Sequence, residues 1–182
     1  MDPHVTGSPV QFYEYTSRLK QNVQKAAVYA AGIIAVLVFL HFHRFSSVLL
    51  ALLPVAFGLC WMLGLMGWLG IPLNPVNIVS LILVIGIGVT NGVHILNRFA
   101  EESQPNILAR STGKAVIVSA LNTMAGFGSL LVAKHHGIAS FGGVMAIGTG
   151  TCVVAALAIL PAALTLLCRI GWRPTEPAHK SA

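Results

Sequence analysis

The feature that most restricts what this chain can become is residues 75–97, which carry no formal charge when His94 is neutral. At about 1.5 Å of rise per residue, a helix of that length crosses the roughly 30 Å hydrocarbon core of a bilayer. Asn74 followed by Pro75 reads as a helix N-cap and first helical position, and Arg98, Glu101 and Glu102 mark the aqueous end. Helical winding places Thr90, His94, Asn97 and Glu101 on one face, with Gly86 beside them and Asn91 and Arg98 at its edge. Such a file is costly against lipid, so it is expected to face other helices or a watery cleft.

The rest of the chain is of the same kind. Of its 182 residues 55% are hydrophobic and only 9% charged, and the five acids, Asp2, Glu14, Glu101, Glu102 and Glu176, all lie outside the apolar runs. That composition describes an all-α membrane protein rather than a soluble domain. The net charge of +6 is scattered over the ends of apolar runs and forms no basic stripe, so it reads as membrane topology charge and not as a nucleic-acid surface. Cys60, Cys152 and Cys168 fall in apolar runs without metal or redox spacing and read as small packing residues. The start, MDPHVTGSPVQFYEY, has no basic stretch followed by an apolar one, so insertion is expected to rely on the spans themselves.

Taken in order, Phe12, Tyr15, Leu19 and Val23 recur at helical spacing opposite Glu14, Arg18, Gln21 and Gln24. This is an amphipathic helix lying in the membrane interface or a solvent-facing entry to the first span. Five transmembrane helices are expected after it, at residues 26–43, 45–71, 75–97, 115–133 and 137–168. The second contains Pro54, a kink site, and brings Trp61 and Trp68 towards its far end, where an aromatic belt sits. Only Pro72 to Asn74 separates it from the third, so these two form an antiparallel hairpin. The fourth gathers Ser119, Asn122, Thr123 and Gly126 on a face expected to meet the Thr90 file. The fifth is too long for one straight crossing; its start around Gly142 and Gly143 is expected to tilt or lie in the interface, and Pro161 to bend its end. Three regions result: an arm at 1–24, a bundle at 25–168 and a polar, disordered tail at 169–182. Arg44, Arg98, Arg110, Lys114, Arg169, Arg173 and Lys180 on one side, against Arg18, Lys20, Lys25 and Lys134 on the other, favour a C-terminus inside and an N-terminus outside.

The chemistry available is narrow. His94 is the titratable residue deep in a span; it is either a proton carrier facing the interior or a neutral imidazole satisfied by neighbouring helices. Thr90, Asn91, Asn97, Asn122 and Thr123 can hydrogen-bond but cannot titrate, and they complete the polar stripe. The glycines of GIGVTNG lie mid-span with no preceding strand, so Gly86, Gly88 and Gly92, like Gly126, read as helix-packing residues and not as a phosphate loop. His135 beside His136 lacks an acid or cysteine partner and is weak ground for a metal site; His41 and His43 read as interface residues. No nucleophile, histidine and acid set occurs, which argues against an enzyme, and no metal or organic cofactor is implied.

The runs IVSLILVIGIGVTNGVHILNRFAEE, STGKAVIVSALNTMAGFGSLLVAKHHGIASFG and LPAALTLL, in that order and spacing, resemble the C-terminal membrane half of the RND superfamily in its MMPL-like branch. Within it they are most similar to the hopanoid-biosynthesis-associated transporters of bacterial inner membranes, over residues 7–167. The resemblance implies a twelve-helix protein in two related halves, each with a large periplasmic porter domain, of which this chain holds the last five helices and the exit from the second porter domain. It also implies a bacterial inner-membrane location, protons as coupling ion, a hopanoid or similar lipid as cargo, and a missing N-terminal half, or a second copy, as partner. The alternative is a non-transporting fragment or helper subunit that packs with another helix bundle. Where relatives carry an acid in GIGVDNG-like sequences, this chain has Thr90, which leaves proton coupling open.

Overall fold

In the computed structural model, which describes residues 8–43, 45–102 and 113–169, the chain is a bundle of helices. In order they are α1 (Ser8–Phe42), α2 (Phe45–Trp68), α3 (Pro75–Glu102), α4 (Gly113–Gly128, tightening into a 3-10 turn over Ser129–Val132) and α5 (His136–Arg169). Five helical segments are long and apolar enough to cross a membrane: Gln21–Phe42, Phe45–Trp68, Val76–Phe99, Gly113–Val132 and His136–Arg169. The amphipathic segment expected before the first span is helical and continues into it without a break at Lys25. The expected tail beyond Arg169 and the stretch between α3 and α4 lie outside the described residues.

The ends of the helices are set by local chemistry. α2 stops short of the expected residue 71 because Gly70 adopts φ 67°. Its N–H then reaches the Gly67 carbonyl at 3.3 Å while Ile71 N–H donates to Met66 O at 2.9 Å, the paired bonds of a left-handed C-terminal cap. Four residues later α3 begins as expected: the N–H of Asn77 donates to Asn74 Oδ1 at 2.8 Å. Asn77, fully buried, also donates from Nδ2 to Pro72 O at 2.8 Å and shares a bond with Ser140 Oγ at the start of α5. One amide therefore pins the α2–α3 turn to a third helix. At the other end of the bundle α1 turns into α2 through His43, whose φ of 53° is the left-handed conformation that L side chains disfavour.

The last helix organises the bundle. α5 packs against α2, α3 and α4, whereas α1 lies on the far side of α2 and α3 and makes no described contact of weight with α5. Its 34 residues would extend about 51 Å if straight, more than the hydrocarbon thickness, so the span must tilt or protrude. Close approach is possible because small residues stand at the crossings. A Cβ on Gly58 of α2 would fall 2.7 Å from Cys152 Cα, and one on Gly92 of α3 would fall 2.7 Å from the Ala51 carbonyl oxygen. Both obstacles are backbone and cannot rotate away. In a lipid environment, where apolar side chains gain little from leaving the solvent, this contact area is the main source of helix association. The interior consists of two apolar clusters. One, around Val48, Ile95, Leu96, Leu160 and Leu164, lies towards the C-terminal ends of α3 and α5; the other contains Met62, Met66, Val84, Val144 and Met145.

Candidate functional site

The polar file of α3 starts from Gly86 and runs towards Arg98. Thr90 Oγ1–H donates to the Gly86 carbonyl at 3.0 Å, one turn back in its own helix. Thr90 and His94 are exposed, and His94 has no hydrogen-bond partner among the described residues. Asn97, half-buried, accepts at Oδ1 from His41 Nε2 at 3.1 Å, across from α1. An amide oxygen only accepts, so this geometry requires the Nε2-protonated form of the His41 ring. Together with Gly86 these side chains line a cleft of about 330 Å³ between α1 and α3, whose remaining walls are Ile34, Leu37, Val38, Val89 and Val93. The Glu101 side chain lies outside the described residues.

Asn91, adjacent to Thr90 in sequence, faces the opposite way. It is buried and its Nδ2 has no hydrogen-bond partner among the described residues, as is the case for Thr149 Oγ1 on α5. An unsatisfied polar atom costs about 1–3 kcal/mol when buried, so the two are retained at a cost to stability. The four glycines divide in the same manner. Gly88 stands 3.1 Å, measured from a built Cβ, from Cys152 Sγ and Gly92 abuts Ala51, while Gly86 and Gly126 face open space.

The expectation that the α4 polar residues meet the Thr90 face is not met. Among the described residues α3 and α4 touch only lightly. Asn122 is exposed, Thr123 is half-buried with its hydroxyl on the Ser119 carbonyl at 3.0 Å, and among the described residues no hydrogen bond joins either to the α3 file. The α3 file is expected to face other helices or a watery cleft; Asn97 meets α1, and Thr90 and His94, though exposed, line the cleft between α1 and α3. The reason lies in the core: α5 is rich in small and apolar residues and takes the apolar faces of both α3 (Val84, Gly88) and α4 (Val116, Ala120), which turns both polar rows outwards. Aliphatic side chains, not the polar file, fill the centre.

His41 is the site residue that sequence reasoning missed. Its signal was the row Ile34, Leu37, Val38 and His41, an apolar stripe at helical spacing that ends in an imidazole. Among the described residues no group of three His, Cys, Asp or Glu side chains is placed to hold a metal ion. The arrangement offers hydrogen-bonding groups and two imidazoles along a face that the chain itself leaves open.

Comparison with known proteins bears on that open face. The family described as the MMPL family matches residues 2–182. The hopanoid transporter HpnN of Rhodopseudomonas palustris is 30% identical over 161 residues, which are 88% of this chain and 18% of that protein. HpnN of Burkholderia multivorans is 28% identical over 160 residues, again 88% of this chain and 18% of the relative. A Methanocaldococcus jannaschii membrane protein is 32% identical over 145 residues, 74% of this chain and 37% of the relative. The chain thus spans less than a fifth of the length of the hopanoid transporters it matches.

Proposed function

The chain belongs to the MMPL family, and from that premise we propose that it is the membrane part of a proton-linked RND-type exporter of hopanoids or similar lipids, of which it forms an incomplete C-terminal half. Its bundle spans a bacterial inner membrane, with the N-terminal arm on the periplasmic side or in the interface and the C-terminal tail cytoplasmic. The observation that supports this reading is the outward face of α3: Thr90 and His94 lie within the span, polar and exposed, on a helix whose opposite face is packed. Polar side chains in hydrocarbon call for partners, and the chain has placed its own packing groups elsewhere. A second helix bundle, whether the remaining half of a transporter or a second copy, provides that cover. Helices that meet on a polar file and rearrange around it can alternate between exposing it to one side of the membrane and to the other.

In this reading His94 carries the proton, because Thr90 has no ionisable group and already gives its hydroxyl hydrogen to Gly86. No carboxylate is placed in the spans to share the task. The porter domains and the cargo they hold belong to the remainder of the transporter.

The test is complementation of a strain lacking the full transporter by this chain together with the missing half and porter domains, read as outer-membrane hopanoid content. Restoration by the wild-type chain and at least a tenfold loss with His94→Gln are expected. If Thr90→Asp raises transport while His94→Gln leaves it unchanged, the proton is not carried at His94. The second reading, a helper that packs with another bundle without transporting, is favoured if the chain joins the complex and hopanoid content stays at the level of the deletion strain.

A further inference from the structure

We infer that the groove between α2 and α4, backed by α5, binds the rigid fused-ring hydrocarbon of a polycyclic lipid; this gives the proposed cargo a site within the membrane and rests on the lipid-export reading. α2 and α4 both pack on α5 and touch each other slightly at most, which leaves between them an outward-opening recess of about 720 Å³. Small residues deepen it, Gly64 on α2 with Ala146 and Gly150 on α5, and Trp61 on α2 and Met124 on α4 are its larger walls. Gly64 is unlike the packing glycine on the same helix. A Cβ on Gly58 would fall 2.7 Å from Cys152 Cα, whereas one on Gly64 would meet nothing within 4 Å. Close approach within the chain therefore does not call for glycine at 64, a residue that weakens a helix interior. The space it leaves belongs to the groove.

Chemistry, length and width select the occupant. The lining has a single side-chain oxygen, that of Thr151, and its O–H already donates to the Gly148 carbonyl at 3.0 Å. Water would find no partners there, and apolar recesses of this kind stay dry. Along α5 the lining runs from Ala146 to Val154, about 12 Å of rise, so a helix crossing the roughly 30 Å hydrocarbon core could rest only a part of its length in the groove. A volume of about 720 Å³ over that length is an opening roughly 8 Å across, about twice the ~4 Å at which carbon atoms pack, and so too broad for one extended acyl chain. A short, broad hydrocarbon without polar groups at this depth fits, and a fused ring system loses little conformational freedom on entering. Gly64 lies four residues before the end of α2 at Trp68, which puts the groove in the half of the bundle nearest the α2–α3 and α4–α5 turns. In the proposed orientation that is the periplasmic leaflet, the side towards which an exporter moves its lipid.

The test is photolabelling of the chain in palmitoyl-oleoyl phosphatidylcholine nanodiscs. These contain either a hopanoid alcohol with a diazirine on its ring system or a phosphatidylcholine with a diazirine in its acyl chain, and adducts are located by mass spectrometry. The hopanoid probe is expected to label residues 60–65 and 146–154, and excess untagged hopanoid to suppress that labelling by about fivefold or more. Gly64→Leu, which fills the groove without meeting the chain's own atoms, is expected to reduce it to a similar degree; Gly86→Leu, which adds the same bulk on the α1–α3 cleft, is expected to leave it unchanged. Labelling that untagged hopanoid does not suppress overturns the inference, and this arm needs no variant to fold. So does equal labelling of the same segments by the acyl-chain probe, which would mark ordinary boundary lipid, or an adduct joining these segments to a second copy of the chain. Export is not measured here: saturable labelling with failed complementation retains the site and removes the export reading, and restored export without saturable labelling removes the site alone.

Discussion

Gly86 and Gly92 are both glycines of α3, and the structure gives them opposite surroundings. A Cβ at Gly92 would strike the Ala51 carbonyl oxygen at 2.7 Å, whereas one at Gly86 would meet nothing within 4 Å. Gly92→Leu is therefore expected to destabilise the bundle by about 2 kcal/mol through overpacking. Gly86→Ala is expected to be neutral or to stabilise the isolated chain by up to about 1 kcal/mol, from helix propensity alone. Reversible unfolding in mixed micelles checks both, and equal effects at the two positions would contradict the assigned helix contacts. If the Gly86 face is covered by a second bundle, Gly86→Leu weakens that assembly while leaving the fold of the chain intact. At this scale the sequence identified residue types but not their neighbours. A glycine pattern in a span indicates close approach somewhere, and only the bundle shows that Gly88 and Gly92 meet α5 and α2 while Gly86 opens on the cleft. His43 and Gly70 share a left-handed backbone, and only Gly70 suits it; His43→Gly is expected to stabilise the α1–α2 turn by about 1 kcal/mol, and Gly70→Ala to cost a similar amount in the same assay.

Among the elements, the α2–α3 hairpin was the most legible part of the chain. Its turn is short, its stop and start residues are of types with a local mechanism, and the Asn74 cap lies where helix-start chemistry placed it. The presence of five helices long and apolar enough to span was legible for the same reason, since apolar runs between charged ends measure the hydrocarbon. What could not be read was which element faces which. Helical periodicity defines the polar face of α4 but not the direction in which that face points, and α5, central to the packing, is apolar or small on every side, so no stripe announces its role. The Asn77 pin was equally hidden, because its partners are a neighbouring turn and a serine 63 positions later. Asn77→Ala removes the bonds to Pro72 O and Ser140 Oγ and is expected to cost about 1–2 kcal/mol. Ser140→Ala, which removes one of them, is expected to cost less; an Asn77→Ala variant as stable as wild type would show that the pin is not formed.

At the scale of the whole molecule, the proposal of a counterpart rests on the outward polar faces of α3 and α4. Its apolar exterior suits acyl chains, and its centre is filled by aliphatic residues, but Thr90, His94 and Asn122 are exposed on spans where lipid offers them no partner. Alone in mild detergent the chain is expected to self-associate through these faces, and blue-native electrophoresis showing only monomer would count against that. The most direct measurement is photo-crosslinking in native membranes, with a photoreactive side chain placed at position 94 and, for comparison, at position 33 on the exposed outer face of α1. The account expects position 94 to give an adduct identified by mass spectrometry as the remaining transporter half or a second copy, and position 33 to give lipid adducts alone. Lipid adducts alone at both positions would contradict it.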